Sequence, residues 1–128
     1  MGNPLESLEA QVRLCRALLA AAVELRARVG SPLAGPVLDR RSRITAELVR
    51  LRDRHRAEPP IPERDAEAAA RLTLEIRELV ARIMAVDGQT LEATESEREE
   101  LLAELERRAA RAQKAGGGDA VNPERRAA

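Results

Sequence analysis

The sequence predicts an all-α protein, an antiparallel three-helix hairpin or coiled-coil bundle with an overlong C-terminal helix. Three observations carry this prediction. The chain is rich in Ala, Leu, Glu and Arg, which are strong helix formers. It has no Phe, Tyr or Trp, so its core must be aliphatic, which favours helix–helix packing. Apolar residues also recur at steps of three and four in three separate segments, as amphipathic helices require.

The first helix is predicted over about residues 4–29. Asn3 suits the N-cap and Pro4 the first helical position, while Gly30 suits the turn that ends the helix. One apolar seam has a/d heptad spacing and a second row widens it, so we expect this helix to touch two neighbours. The seam is Leu5, Leu8, Val12, Cys15, Leu19, Ala22, Arg26 and Val29, and the second row is Leu14, Leu18, Ala21 and Leu25.

The second helix is predicted over about residues 36–57, after a connector rich in Gly and Pro. Its seam is Val37, Arg41, Ile44, Leu48, Leu51 and His55, flanked by Leu38, Thr45 and Val49. Its outer face is rich in Arg. Residues 58–62 (EPPIP) form a stiff corner, because proline fixes φ and removes backbone donors.

The third helix is predicted over about residues 62–114, which is about 53 residues and roughly 80 Å long. Its seam includes Leu72, Ile76, Leu79, Ile83, Val86 and Thr90. Short connectors make successive helices antiparallel neighbours, so the two shorter helices can cover only residues 62–88. We therefore expect one helical domain over residues 1–115, followed by a disordered tail over residues 116–128.

The uncovered half, about residues 89–114, still carries an apolar stripe, and exposed leucines on a long helix indicate an interaction surface. We predict that it binds a partner helix. The predicted binding residues are Leu91, Thr94, Arg98, Leu101, Leu102, Leu105 and Ala109. Two alternatives remain open at this point: the stripe is buried in a homodimer, or the helix breaks at Asp87-Gly88 and completes a four-helix bundle.

Composition and motifs argue against several other classes of protein. Net charge is zero and no base-stacking aromatic residue is present, so nucleic-acid binding by the Arg-rich face is a minor alternative. Cys15 is the single cysteine and His55 the single histidine, so we expect no metal site. We find no catalytic motif or cofactor motif, and neither a membrane span nor a signal peptide. The expectation is a cytoplasmic, non-enzymatic binding protein without a cofactor.

Two stretches resemble the flagellar type III export chaperones of the FlgN and FliT type. The first is LDRRSRITAELVRL at residues 38–51, and the second is LTLEIRELVARIMAVDGQTLEATESEREELLAELERRAARA at residues 72–112. Within the second, IMAVD at residues 83–87 is similar to the family's I-L-x-x-D stretch. The following leucines are similar to those of the family's C-terminal helix, although the late aromatic residue of many members is missing.

The resemblance implies a cytoplasmic chaperone that binds C-terminal helices of late flagellar proteins and prevents their premature assembly. The implied clients are the hook–filament junction (hook-associated) proteins or the filament cap protein. The implied further partners are the export gate and its ATPase complex. By position, the client groove would comprise Leu91, Leu101, Leu102, Leu105 and Ala109. The alternative function is a structural coiled-coil module that forms a homodimer through its third helix.

Overall fold

The computed structural model describes residues 3–116 and confirms the predicted all-α fold. Helix α1 spans Pro4–Ala27, α2 spans Ala34–Arg56 and α3 spans Ala66–Ala115. A 3₁₀ turn, Glu63–Asp65, precedes α3. The tail predicted over residues 116–128 lies outside the described residues, except for Gly116. By backbone contacts the chain divides into two compact units, Met1–Ala93 and Thr94–Ala128.

Helix α1 begins as the sequence predicts and ends two residues earlier. The Asn3 side chain accepts a hydrogen bond of 2.9 Å from the Leu5 backbone N–H, and Pro4 occupies the first turn. The helix ends at Ala27, and Gly30 has a φ of 78°. That left-handed conformation favours glycine and turns the chain towards α2.

Helix α2 begins two residues before the predicted start, at Ala34 rather than Pro36. Pro36 therefore lies inside the first turn, where its missing N–H costs nothing because the first backbone donors of a helix have no intrahelical acceptor. The Ser31 hydroxyl accepts a 3.1 Å hydrogen bond from the Leu33 N–H just ahead of the helix. Helix α3 in turn begins later than predicted, since the segment after Pro62 forms the 3₁₀ turn first.

Within the Met1–Ala93 unit the three helices run up, down and up. Arg40 of α2 pairs with Glu24 near the end of α1, and Ser7 near the start of α1 donates to Glu58 beyond the end of α2. Those two helices are therefore antiparallel. Arg16 of α1 donates a hydrogen bond to Glu75 of α3, and Arg26, further along α1, donates to Gln89, further along α3. Helices α1 and α3 therefore run in the same direction.

The core of this unit is aliphatic, and α1 supplies most of it. Val12 and Cys15 of α1 pack with Leu79 of α3, and partly buried leucine and isoleucine side chains from all three helices surround them. Both predicted rows of α1 contribute buried residues. The buried hydrophobic residues of α1 are Leu8, Val12, Cys15, Leu18, Ala21, Ala22 and Leu25. The prediction that α1 touches two neighbours is therefore confirmed.

Candidate helix-binding surface

The second unit contains the end of α3, residues 94–115, which is helical throughout. Helix α3 passes through Asp87-Gly88 without a break, so the predicted alternative of a helix break there is wrong. Three leucines of residues 94–115 are among the most exposed apolar side chains of the chain. Leu101 is 60%, Leu102 is 49% and Leu105 is 51% exposed.

Six of the seven predicted binding residues belong to the second unit, and they lie along one side of its helix. At about 100° per residue, the steps between them keep these six within an arc of roughly 100°. All six are exposed, and we name them the distal stripe: Thr94, Arg98, Leu101, Leu102, Leu105 and Ala109. The seventh, Leu91, is an exposed residue of the first unit.

Acidic side chains crowd the first part of the distal stripe. Glu92, Glu95, Glu97, Glu99 and Glu100 are all exposed, and Arg98 is the single base among them. The following segment is basic. There Glu104 accepts hydrogen bonds from Arg107 at 2.7 Å, Arg108 at 3.3 Å and Arg111 at 3.2 Å. The i,i+4 pair of Glu104 with Arg108 follows the order that stabilises helices, acid before base.

In the first unit, an ion pair links α2 to α3 near the predicted end of coverage. Arg41 donates to both carboxylate oxygens of Asp87, with 2.6 Å from Nη1 to Oδ1, and both side chains are about two-thirds or more buried. Such a bidentate pair is geometrically specific. It fixes the axial register of α2 against α3. Sequence reasoning missed this pair, although an arginine between the apolar positions Val37 and Ile44 of the α2 seam indicates that an acidic partner is needed.

Cys15 and Glu24 are titratable residues whose surroundings in the first unit shift their pKa values. Cys15 is 1% exposed, and burial raises the pKa of its thiol. The Arg40 guanidinium beside Glu24 lowers the pKa of that carboxyl. In the described part of the chain, residues 3–116, no group of three or more His, Cys, Asp or Glu side chains could hold a metal ion. No helix in that part combines the length and apolar character that crossing a bilayer requires.

Comparisons with family models, with curated proteins and with solved structures find no match for this chain. The resemblance to the flagellar export chaperones therefore stays a prediction.

Proposed function

We propose that this protein is a cytoplasmic export chaperone that captures a C-terminal helix of a flagellar hook–filament junction protein. One observation carries the proposal: Leu101, Leu102 and Leu105 are 49–60% exposed on one side of a helix. Full burial of a leucine side chain stabilises a complex by about 1.5–3 kcal/mol. Three half-exposed leucines therefore provide a substantial driving force for binding a second apolar helix.

The charges around the distal stripe define the chemistry of the client. Four exposed carboxylates, Glu95, Glu97, Glu99 and Glu100, lie within the six residues before Leu101. A client helix with an apolar face and basic flanks would place its cations against these carboxylates. Complementary charges raise the association rate and fix orientation more than they add affinity. The client is therefore an amphipathic, basic helix, held non-covalently and released intact to the export gate and its ATPase complex.

The geometry fits helix capture better than catalysis. The distal stripe is a convex helix surface, and nothing in it activates a nucleophile or holds a reacting group. Its leucines are regularly spaced, so a client helix can insert its own side chains between them. Binding would cover the apolar face of the client helix. Junction proteins would otherwise assemble too early through that face.

Isothermal titration calorimetry with a synthetic C-terminal helix of a junction protein tests this proposal. We expect wild-type protein to bind the peptide, and the double variant Leu101→Asp/Leu105→Asp to lose at least tenfold in affinity. The matched control is Leu38→Asp, because Leu38 is a similarly exposed leucine, at 48%, on α2. It should bind like wild type. Equal losses in both variants, or no binding by wild type, would overturn the proposal.

The second candidate function is the structural homodimeric coiled-coil module. One observation favours it: Met84, at 68% exposed, and Leu91, at 60%, are open apolar side chains on α3. Such a module would show self-association but no affinity for the junction-protein peptide, so the same titration separates the two functions.

A further inference from the structure

The edge where α2 meets α3 exposes apolar side chains of both helices. Arg40 of α2 pairs with α1, whereas Arg41, about 100° further round the helix, pairs with Asp87 of α3. The side of α2 beyond Arg41 therefore lies along the edge next to α3. Within the Met1–Ala93 unit this edge, which we name the α2–α3 groove, carries four exposed apolar side chains. They are Leu38 and Val49 of α2, and Val80 and Met84 of α3.

Helical geometry places these four side chains on the two walls of the groove. On α2, Leu38 and Val49 lie about 60° and about 80° from the arginine that pairs with α3, on the side away from the core. On α3, Val80 and Met84 lie about 20° and about 60° from the aspartate of the same pair, again away from the core. Both walls are therefore apolar and open to solvent.

Small side chains follow Leu38 along this side of α2 and leave room for the side chain of another molecule. The Thr45 hydroxyl donates a 2.9 Å hydrogen bond to the backbone carbonyl of Arg41, so it needs no partner from outside. An apolar side chain of a docked helix can therefore fill this space, as a knob fills a hole. The space is a shallow depression of about 440 Å³ lined by Leu38, Arg41, Ser42, Thr45 and Ala46.

Three arginines lie together at one end of the groove. Arg52 comes eleven residues after Arg41 on α2, and Arg77 comes ten residues before Asp87 on α3. Because the two helices are antiparallel and Arg41 pairs with Asp87, Arg52 and Arg77 lie at the same level. Arg56 follows about one turn further along α2.

These three arginines keep most of their charge. Among the residues that the structure describes, no carboxylate forms an ion pair with Arg52 or Arg77. Arg56 approaches Asp53 only at 3.9 Å, and both side chains are largely exposed, so water screens the pair. The whole chain has no net charge, yet this end of the groove is basic.

We propose that the α2–α3 groove binds an amphipathic helix of a partner protein, one with an apolar face and with carboxylates clustered near one end. From Leu38 to Arg56 the groove is about 27 Å long, which is about five helical turns. The apolar face covers the four apolar side chains, and the carboxylates pair with the three arginines. A neutral or basic helix would remove those arginines from water without neutralising them, which is unfavourable. Charge complementarity therefore selects an acidic partner.

This inference does not depend on the proposed function, because the two surfaces take helices of opposite charge. The distal stripe begins in a run of carboxylates and takes a basic client. The groove ends in arginines and takes an acidic partner. The two binding events should therefore respond to different peptides and to different substitutions.

An NMR titration of full-length protein with labelled leucine, valine and methionine methyl groups tests the inference. The probe is a synthetic helical peptide of about 18 residues, with leucines at a and d positions and glutamates in its first turns, where acids also stabilise the unbound helix. We expect the methyl groups of Leu38, Val49, Val80 and Met84 to shift and saturate together, with an affinity that falls as salt is added. A control peptide with glutamine in place of each glutamate should bind about tenfold more weakly.

Charge reversal tests the arginines directly. Arg52→Glu/Arg77→Glu should lower the affinity for the glutamate peptide about tenfold or more. The matched control is Arg43→Glu/Arg50→Glu, which reverses two exposed arginines on the opposite side of α2 and should bind like wild type. Circular dichroism confirms that both variants fold. Equal losses in the two variants would show that overall charge, rather than the groove, attracts the peptide, and would overturn the inference.

Two further variants separate this inference from the proposed function. Leu38→Asp should lose the glutamate peptide and keep the junction-protein peptide, whereas Leu101→Asp/Leu105→Asp should do the reverse. Loss of both peptides in either variant would contradict two separate surfaces and overturn the inference.

Other occupants of the groove give distinct results. A dimer of the protein alone that covers Met84, or an RNA oligonucleotide that binds the arginines more tightly than the glutamate peptide, would overturn the inference. Equal binding of the glutamate and glutamine peptides, or no methyl shift in the groove at millimolar peptide, would also overturn it. None of these results bears on capture of a basic client by the distal stripe.

Discussion

Two leucines of α3 should respond very differently to replacement by alanine. Leu79 is 7% exposed and packs against Val12 and Cys15, whereas Leu101 is 60% exposed. Removing a buried leucine costs the transfer free energy and leaves a cavity, about 2–5 kcal/mol in total. Exposed positions usually change the free energy of unfolding by about 0.5 kcal/mol or less. We therefore expect about 3 kcal/mol for Leu79→Ala and almost nothing for Leu101→Ala.

Urea unfolding followed by circular dichroism measures this difference. With a slope of about 1–3 kcal/mol per molar urea, the midpoint of Leu79→Ala should fall by about 1–3 M, and that of Leu101→Ala should stay within experimental error. The lowest practical protein concentration limits any contribution from self-association. Equal destabilisation by the two substitutions would refute the reasoning, because Leu101 would then have to be buried in the folded protein.

Three further predictions concern the first unit. Asp87→Ala leaves Arg41 without its bidentate partner and should cost roughly 1.5–3 kcal/mol in urea unfolding. Cys15 should react with a thiol reagent no faster than the protein opens, because the thiol is buried and its pKa is raised; added urea should accelerate the reaction. The pKa of Glu24 is lowered by Arg40, so its stabilising effect is present above its ordinary pKa and is lost as pH falls through the lowered folded-state pKa. Glu24→Gln should remove that part of the acid sensitivity in a pH series of thermal melts.

The fold was predictable because local signals agreed with one another. The side chain of Asn3 caps α1 as its residue type and position indicate, and both predicted apolar rows of α1 contain buried residues. The helix ends were less predictable near proline. The sequence predicts Pro36 as the start of α2, yet any of the first helical positions tolerates a residue without an N–H, and the helix begins at Ala34.

The residue pairs between helices could not be predicted from the sequence, because they depend on the axial register of one helix against another. Arg41 stood out in its seam, but nothing local identified Asp87 as its partner, since many carboxylates are available. The exposure of Leu74, Met84 and Leu91 likewise depends on how the helices pack, and the apolar pattern of α3 alone does not show it.

The most direct test of the central claim is an NMR titration of full-length protein carrying labelled leucine methyl groups. A C-terminal helix of a hook–filament junction protein is added, and methyl shifts are followed residue by residue. We predict that Leu91, Leu101, Leu102 and Leu105 shift and saturate together, while the buried methyl groups of Leu8 and Leu79 stay in place. Shifts confined to the core leucines, or no shift at a several-fold excess of peptide, would contradict the account.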